Sequence, residues 1–149
     1  MNTQISYMIF DKTEWEPIEK IIMDSQKTIR TLIEKHTLTK DHTDERQELE
    51  VQWFLNIFRF ISRKWNVDIL YQLRLHSMLT FNDLRRHLND LSSRTLSDCL
   101  KQLQEYKLIT RELQDTRPPT VNYSLSKEGM GFIELSMLLV FYLADIKSK

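Results

Sequence analysis

The stretch LSSRTLSDCLKQL, residues 91–103, combines two patterns in one predicted helix. Leu96, Leu100 and Leu103 follow one another at i, i+4 and i+7, which is the spacing of a buried helix face. The opposite face begins with short hydroxyl side chains and one arginine, and it carries no apolar residue. Free backbone amides and the helix dipole at such a start attract phosphate. The stretch therefore predicts a core-anchored helix whose polar end contacts an anionic partner.

The rest of the sequence offers no constellation typical of an enzyme active site. The four histidines lack the spacing of metal ligands, and no nucleophile is placed beside a base. The two glycines, at positions 129 and 131, are too few for a glycine-rich phosphate loop. We therefore predict a protein that is not an enzyme and that holds neither a metal nor another cofactor.

A single cysteine, Cys99, excludes an internal disulfide and favours a reducing compartment. No basic start followed by an apolar run opens the chain, and the longest apolar run, residues 137–144, is too short to span a bilayer. We expect a soluble, cytoplasmic protein without membrane contact. Cys99 itself is interpreted as a structural thiol, with a redox sensor as the alternative.

Charge is distributed unevenly along a chain whose net charge is zero. Residues 1–60 contain 8 Lys and Arg against 11 Asp and Glu, a net of −3. Residues 61–125 contain 10 against 7, a net of +3, and residues 126–149 contain 3 of each sign. The basic excess coincides with the polar helix described above, which favours an anionic partner for that segment.

Apolar spacing and capping residues predict six helices and two strands. The helices are expected at residues 17–35, 47–61, 65–75, 81–88, 93–106 and 127–146. Pro17 suits a first helical turn, and Thr80 and Asp83 form a capping-box pattern. Ser92 or Ser93 caps the polar helix, and Ser126 caps the last helix. Strands at 108–113 and 121–125 form a hairpin, an extended link lies at 79–80, and a linker is expected at 35–47.

This order of elements predicts a mainly α (α+β) fold, a winged helix-turn-helix with a two-stranded β-wing and an N-terminal helical extension. An arm and helix at residues 1–46 would serve dimerisation or regulation. Residues 47–149 would form the DNA-binding domain with its flanking dimerisation helices. In such a domain the recognition helix, here 93–106, enters the major groove, and the wing, here 111–124, contacts the backbone or minor groove.

Five segments resemble the HxlR-type regulators of the MarR-like superfamily across roughly residues 61–132: RKWNVDILYQL, TFNDLRRHL, LSSRTLSDCLKQLQ, LITREL and RPPTVNYSLSKEG. The resemblance implies a homodimeric transcriptional regulator that binds double-stranded DNA, with dimer contacts from the first and last helices of the domain. Some such regulators sense oxidants through a cysteine, which keeps a redox or small-molecule effector open. The sequence departs from the family at Arg63 and Lys107, where glycine is common, at Thr120, where a basic residue is common, and in its first 45 residues.

Three groups of side chains follow from this interpretation. Base contacts are expected from the outward face of the recognition helix, with Arg94 suited to guanine and Thr95 to a thymine methyl: Ser93, Arg94, Thr95, Ser97, Asp98 and Lys101. Backbone or wing contacts are expected from Lys64, Arg85, Arg86, Ser92, Arg111, Arg117 and Thr120. Dimer contacts are expected from Trp53, Phe54, Ile57, Phe58, Leu135, Leu138, Leu139 and Tyr142.

The sequence is also compatible with two other functions. Asp98 could accept from cytosine, hold Arg94 in place or be solvated, and with the missing basic residue at Thr120 it favours a winged helix that binds proteins instead of DNA. The other hypothesis is a ligand-gated regulator, in which helix 17–35 covers a pocket at the dimer interface.

Overall fold

The computed structural model describes residues 12–39 and 43–148 of the chain. The predicted apolar arm at residues 5–10 lies outside the described residues. Nine elements follow one another: α1 (Lys12–Thr39), α2 (Asp44–Ile61), α3 (Lys64–His76), β1 (Met78–Thr80), α4 (Phe81–His87), α5 (Ser93–Glu105), β2 (Ile109–Gln114), β3 (Thr120–Leu125) and α6 (Lys127–Ser148). Contacts divide the chain into two units, residues 51–134 and residues 1–50 with 135–149.

The first two helices are longer than their apolar patterns predict. The prediction of a linker at residues 35–47 is wrong for most of these residues, because α1 continues to Thr39 and α2 begins at Asp44. At the start of α2, Glu45, Arg46 and Gln47 have high helix propensity, and Arg46 Nε lies 3.0 Å from Glu50 Oε1, four residues later. These local preferences stabilise the first turns of α2 without apolar periodicity. Pro17 lies inside α1 and not in its first turn, which begins five residues earlier.

The core of residues 51–134 is built from α3, α4, α5 and the sheet. Its innermost side chains are aliphatic and almost completely inaccessible to solvent: Ile69, Leu70, Leu73, Leu84, Leu96 and Leu103. The predicted inner face of α5 is confirmed, since Leu100 is also buried. Burial of a leucine side chain contributes about 1.5–3 kcal/mol, so these contacts fix the orientation of α5.

A third strand joins the predicted hairpin. The sheet has the order β1-β3-β2 and is antiparallel throughout, with Leu79 opposite Tyr123 and Arg111 opposite the same tyrosine on the other side. The sequence predicts only an extended link at residues 79–80, because three residues are too few to show the alternation of a strand. β1 nevertheless holds the start of α4 against the wing through this pairing.

The end of α5 is closed by a left-handed residue. Lys107 has φ 57°, its amide donates to Gln104 O at 2.9 Å, and the Leu108 amide donates to Leu103 O at 2.9 Å. These two bonds form a Schellman motif, in which the buried Leu103 and Leu108 lie at the positions that usually make its apolar contact. Glycine is the usual residue there, so Lys107 adopts this conformation at a cost of about 1 kcal/mol.

The start of α6 packs directly on the backbone that follows α5. Ser126 caps the helix as predicted, since its hydroxyl accepts from the Gly129 amide at 2.9 Å. The same hydroxyl donates to Lys107 O at 2.6 Å, and the Ser126 amide donates to Leu108 O at 3.0 Å. A Cβ on Gly129 would lie 1.9 Å from Leu108 O, whereas one on Gly131 would meet nothing within 4 Å.

The second unit contains α1, the first turns of α2 and the C-terminal half of α6. Trp15 and Phe141 pack edge to face with ring centroids 5.9 Å apart, and His36 Nε2 lies 3.2 Å from Glu50 Oε1. Within residues 12–39 and 43–148, no helix combines the length and the apolar character needed to cross a membrane.

Gly129→Ala is expected to lower the free energy of unfolding by about 1–3 kcal/mol, because the new methyl group must displace backbone at Leu108. Gly131→Ala is the matched control in the same helix, and it should raise stability by roughly 0.5–1 kcal/mol through helix propensity. Denaturant unfolding of the two variants checks this, and equal effects would contradict the close approach.

Candidate nucleic-acid interface

A capping box fixes the start of α4. The Asp83 amide donates to Thr80 Oγ1 at 3.2 Å, and the Thr80 amide donates to Asp83 Oδ2 at 3.0 Å. Hydrogen bonds from the Thr80 hydroxyl and then from its amide lower the pKa of Asp83, and the nearby Arg86 charge adds to this. The carboxylate is therefore held in its charged form at the helix start.

The two arginines of α4 differ in their contacts. Arg86 forms an ion pair with Asp83, so part of its charge is used within α4. Arg85 is exposed and makes no ion pair among the residues that the structure describes. Both line a shallow cleft with Asn82 and Asn89. The sequence pattern did not indicate these two asparagines, because a single asparagine beside an arginine is not a recognisable motif.

Ser92 is the cap of α5. The Thr95 amide donates to Ser92 Oγ at 3.1 Å, and the hydroxyls of Ser92 and Thr95 lie 2.8 Å apart. The choice between Ser92 and Ser93 is thereby resolved, and Ser93 is left as the exposed first residue of the helix. Thr95 is half-buried, and its hydroxyl already has a partner in Ser92.

The outward face of α5 is polar and accessible, as its sequence predicts. Ser93, Arg94, Ser97, Asp98 and Lys101 are all exposed. In the part of the chain that the structure describes, no ion pair joins Arg94 to Asp98, although they are four residues apart. Arg94 therefore keeps its guanidinium available for an external acceptor, and Asp98 presents an unneutralised negative charge beside it.

A hydrogen-bond network that the sequence did not reveal holds the C-terminal part of α5. Gln102 Oε1 accepts from Arg63 Nη1 at 3.1 Å and from Asn66 Nδ2 at 3.0 Å. Asn66 is only 1% exposed, and its Oδ1 is buried without a partner. Arg63, the residue that stands where the resembled family has glycine, thus connects the junction between α2 and α3 to the recognition helix.

Cys99 faces the interior of the domain. Its side chain is 3% exposed, and burial raises the pKa of its thiol, with the Arg63 charge opposing this and Asp98 reinforcing it. A buried thiol of raised pKa is a poor nucleophile, because the thiolate is the reactive form. This environment supports the structural interpretation of Cys99. Among the described residues, no group of three or more His, Cys, Asp or Glu could hold a metal ion.

The wing carries its predicted residues in different settings. Arg111 and Arg117 are exposed, and the Arg117–Pro118 peptide bond is cis. Thr120 is half-buried, and its hydroxyl lies beside that of Thr116 in the wing tip, 2.5 Å away. Lys64 is exposed but lies over the ring of Trp65, 4.3 Å from its centroid.

The side chains predicted for dimer contacts are mostly solvent-exposed in the single chain. Trp53 is 68% exposed, Phe58 52% and Leu135 70%, and Phe54 stacks on Phe58. Ile57 and Leu139 are also exposed, whereas Leu138 and Tyr142 are half-buried. Large apolar side chains in such numbers are typical of a surface that another molecule covers.

Comparison with known proteins supports the assignment of this fold. The profile of the HxlR-like helix-turn-helix family matches residues 60–143. The chain belongs to the HxlR-like helix-turn-helix family. MalR of Fusobacterium mortiferum, described as a regulatory protein, is 32% identical over 80 residues, which cover 54% of this chain and 76% of that protein.

Solved structures agree with the family assignment. The transcriptional regulator YtfH from Salmonella typhimurium is 27% identical, with a TM-score of 0.51 over 59% of this chain and 78% of that one. A MarR-family transcriptional regulator from Enterococcus faecalis has a TM-score of 0.55 at 24% identity and covers 73% of this chain and 94% of its own. The second likeness concerns the fold alone. The predicted winged helix-turn-helix fold is confirmed.

Cys99 should react with a chromogenic disulfide reagent more slowly than an exposed cysteine, because its thiol is buried and the raised pKa of that thiol lowers the fraction of reactive thiolate. Ser97→Cys in a Cys99→Ala chain supplies the matched exposed thiol on the same helix. Because the pKa is raised, the reaction of Cys99 should accelerate only at higher pH. If Cys99 of the native chain reacts as fast as the control thiol, the result would support the redox-sensor interpretation instead of the structural one.

Proposed function

We propose that this protein is a homodimeric, sequence-specific DNA-binding transcriptional regulator. The observation that carries the proposal is the two-sided character of α5. One face is anchored by leucines with no measurable exposure, and the other presents an unpaired Arg94 among exposed small polar residues. A rigid helix with a polar, cationic N-terminal turn matches the donors and acceptors of the major groove.

Base reading is assigned to the exposed face of α5. Arg94 would bind guanine, the methyl group of Thr95 would meet thymine, and Ser93, Ser97, Asp98 and Lys101 would complete the contact. Phosphate contacts would come from Arg85, from the cleft it shares with Asn82 and Asn89, and from Lys64 and Arg86. Ser92 contributes mainly as the cap that orients α5, and Thr120 mainly by ordering the wing tip that carries Arg117.

Dimerisation is assigned to the exposed apolar surfaces of α2 and α6. A two-fold dimer would place two recognition helices about 34 Å apart on one face of a palindromic duplex. Residues 1–46 would form an extension, and residues 47–149 would form the DNA-binding part. The protein is expected in the cytoplasm, where an unidentified small-molecule or redox effector would regulate it.

A protein-binding winged helix is the second candidate, and Asp98 favours it. An exposed carboxylate next to Arg94 would repel phosphate, and it would lower the affinity of the protein for DNA of most sequences. Enrichment of bound sequences from random duplexes decides between the two, since a protein-binding module would enrich none.

Arg94→Glu should lower affinity for the enriched duplex by at least about tenfold, because a bidentate arginine–guanine contact is worth about 1–3 kcal/mol and the new charge adds repulsion. Mobility shift measures the affinity, and sedimentation checks that the dimer persists. Arg74→Glu, the same charge change on α3, serves as the control. Equal binding by the Arg94 variant and the parent chain would remove α5 from the interface.

Binding should weaken steeply with salt, with a slope of about −0.9 in log–log form for each phosphate contact. Arg85→Gln should reduce the magnitude of that slope by about 1, and it should lower the affinity for the specific duplex and for random duplexes by the same factor. Titrations between low and moderate salt test this. A flat salt dependence would exclude backbone contacts altogether.

A further inference from the structure

Two neighbouring contacts join the end of α2 to the end of α5. Phe60, in the last turn of α2, stacks on Tyr106 with ring centroids 4.0 Å apart and ring planes 21° apart. Arg63, three residues after Phe60, donates from Nη1 to Gln102 Oε1 at 3.1 Å. Gln102 and Tyr106, the residue that ends α5, are four positions apart and so lie on the same side of the helix. Contacts at two points along a helix restrict its crossing angle as well as its distance.

The polar part of this arrangement is not explained by stability. Asn66 is buried on the inner side of α3, three and four residues before the enclosed Ile69 and Leu70. Its Nδ2 donates to Gln102 Oε1 at 3.0 Å, but its Oδ1 is buried with no hydrogen-bond partner among the described residues. An apolar side chain there would avoid the cost of an unpaired buried carbonyl, whereas a buried polar pair can hold packed helices in one arrangement. The α2–α5 clamp is defined here by the five residues of these contacts: Phe60, Arg63, Asn66, Gln102 and Tyr106.

Leucine packing does not by itself determine the crossing angle of α5 closely. The buried leucines decide which face of α5 points inward, but the angles between packed helices scatter by about 15–20° around their preferred values. Arg94 lies eight residues before Gln102, which is about 12 Å along the helix. A change of about 15–20° in crossing angle at Gln102 would therefore move Arg94 by about 3–4 Å.

A movement of this size matters for the spacing of two half-sites on DNA. Inserting one base pair between them moves each half-site by about 1.7 Å from the two-fold axis and turns it by about 17–18° around the duplex. Both changes lie within the range that helix packing alone tolerates. A loosely held α5 could follow the insertion, whereas an α5 with a fixed crossing angle could not.

The clamp connects α5 to the helix assigned to the dimer interface. Phe58, one of the exposed side chains assigned to that interface, lies two residues before Phe60 on α2. Phe60 is held from another direction by Phe132 of α6, edge to face at 6.3 Å. The position of α5 relative to the two-fold axis of the proposed dimer would therefore depend on the clamp.

We propose that the α2–α5 clamp is a set of positioning residues that makes the protein select one half-site spacing. Arg94 and its neighbours would read the bases of each half-site, and the clamp would determine how far apart two half-sites must lie. This inference rests on the proposed function, because it requires a dimer that binds a palindrome.

Duplexes that differ only in half-site spacing test the proposal. The palindrome enriched by the parent chain is prepared with its own spacing and with one base pair added or removed, and mobility shift measures the affinity for each duplex. Gln102→Met keeps the length of the side chain but removes the acceptor of both hydrogen bonds. The preference for the parent spacing should fall by about tenfold in this variant, because two hydrogen bonds are lost, and the preferred half-site sequence should not change.

Three further variants separate positioning from folding. Gln102→Glu keeps an acceptor for both donors, so it should retain the spacing preference of the parent even where its charge lowers every affinity. Gln104→Met is the same chemical change two residues later, where the amide donates to Leu100 O within α5, and it should leave the spacing preference unchanged. Arg63→Met removes the charged donor from an exposed position, so it relaxes the spacing preference without any change in the core.

The outcomes separate this inference from the proposed function. If the parent enriches a palindrome but Gln102→Met and Arg63→Met keep its spacing preference, or lose affinity for all three spacings by the same factor, the proposed function stands and the role of the clamp is refuted. A parent that binds the three spacings equally, or a Gln102→Glu chain as relaxed as Gln102→Met, also refutes that role. A parent that enriches no palindrome refutes both.

Discussion

Burial of one leucine face fixes the helix on which the rest of the site depends. Leu96 and Leu103 are completely enclosed, so α5 cannot rotate about its axis without exposing apolar surface. Because the orientation of the buried face is fixed, the orientation of Arg94 and its neighbours on the opposite face is fixed as well. Gln102 adds a polar contact at the boundary of the two faces, where Arg63 and Asn66 both donate to it.

The backbone after α5 connects the recognition helix to the wing and to α6. Leu108 O accepts from the Ser126 amide and lies against Gly129, while Lys107 O accepts from the Ser126 hydroxyl. One short segment thus ends α5, begins the wing strand and receives the start of α6. The left-handed Lys107 is tolerated because this surrounding network determines its conformation, and the strain is offset by the bonds it allows.

The sequence was sufficient where a local pattern determined the structure. Capping at Thr80, Ser92 and Ser126, the leucine row of α5 and the hairpin could all be predicted, because each depends on residues within one or two turns. The three-residue strand β1 and the Gln102 network could not be predicted. The network depends on residues 36 or more positions apart, as with Asn66 and Gln102, and the strand is too short to show alternation.

Zero net charge is compatible with a DNA-binding surface because the charges are separated along the chain. The basic excess lies in residues 61–125, where α4, α5 and the wing are formed, and the acidic excess lies in residues 1–60. Exposed charges interact weakly beyond about 10 Å at ordinary salt, so phosphate contacts depend mainly on the charges that lie close to them. Asp98 has no such separation from Arg94. In the proposed complex its carboxylate would act mainly on base preference, because a neighbouring cytosine amino group would satisfy it and a phosphate would not.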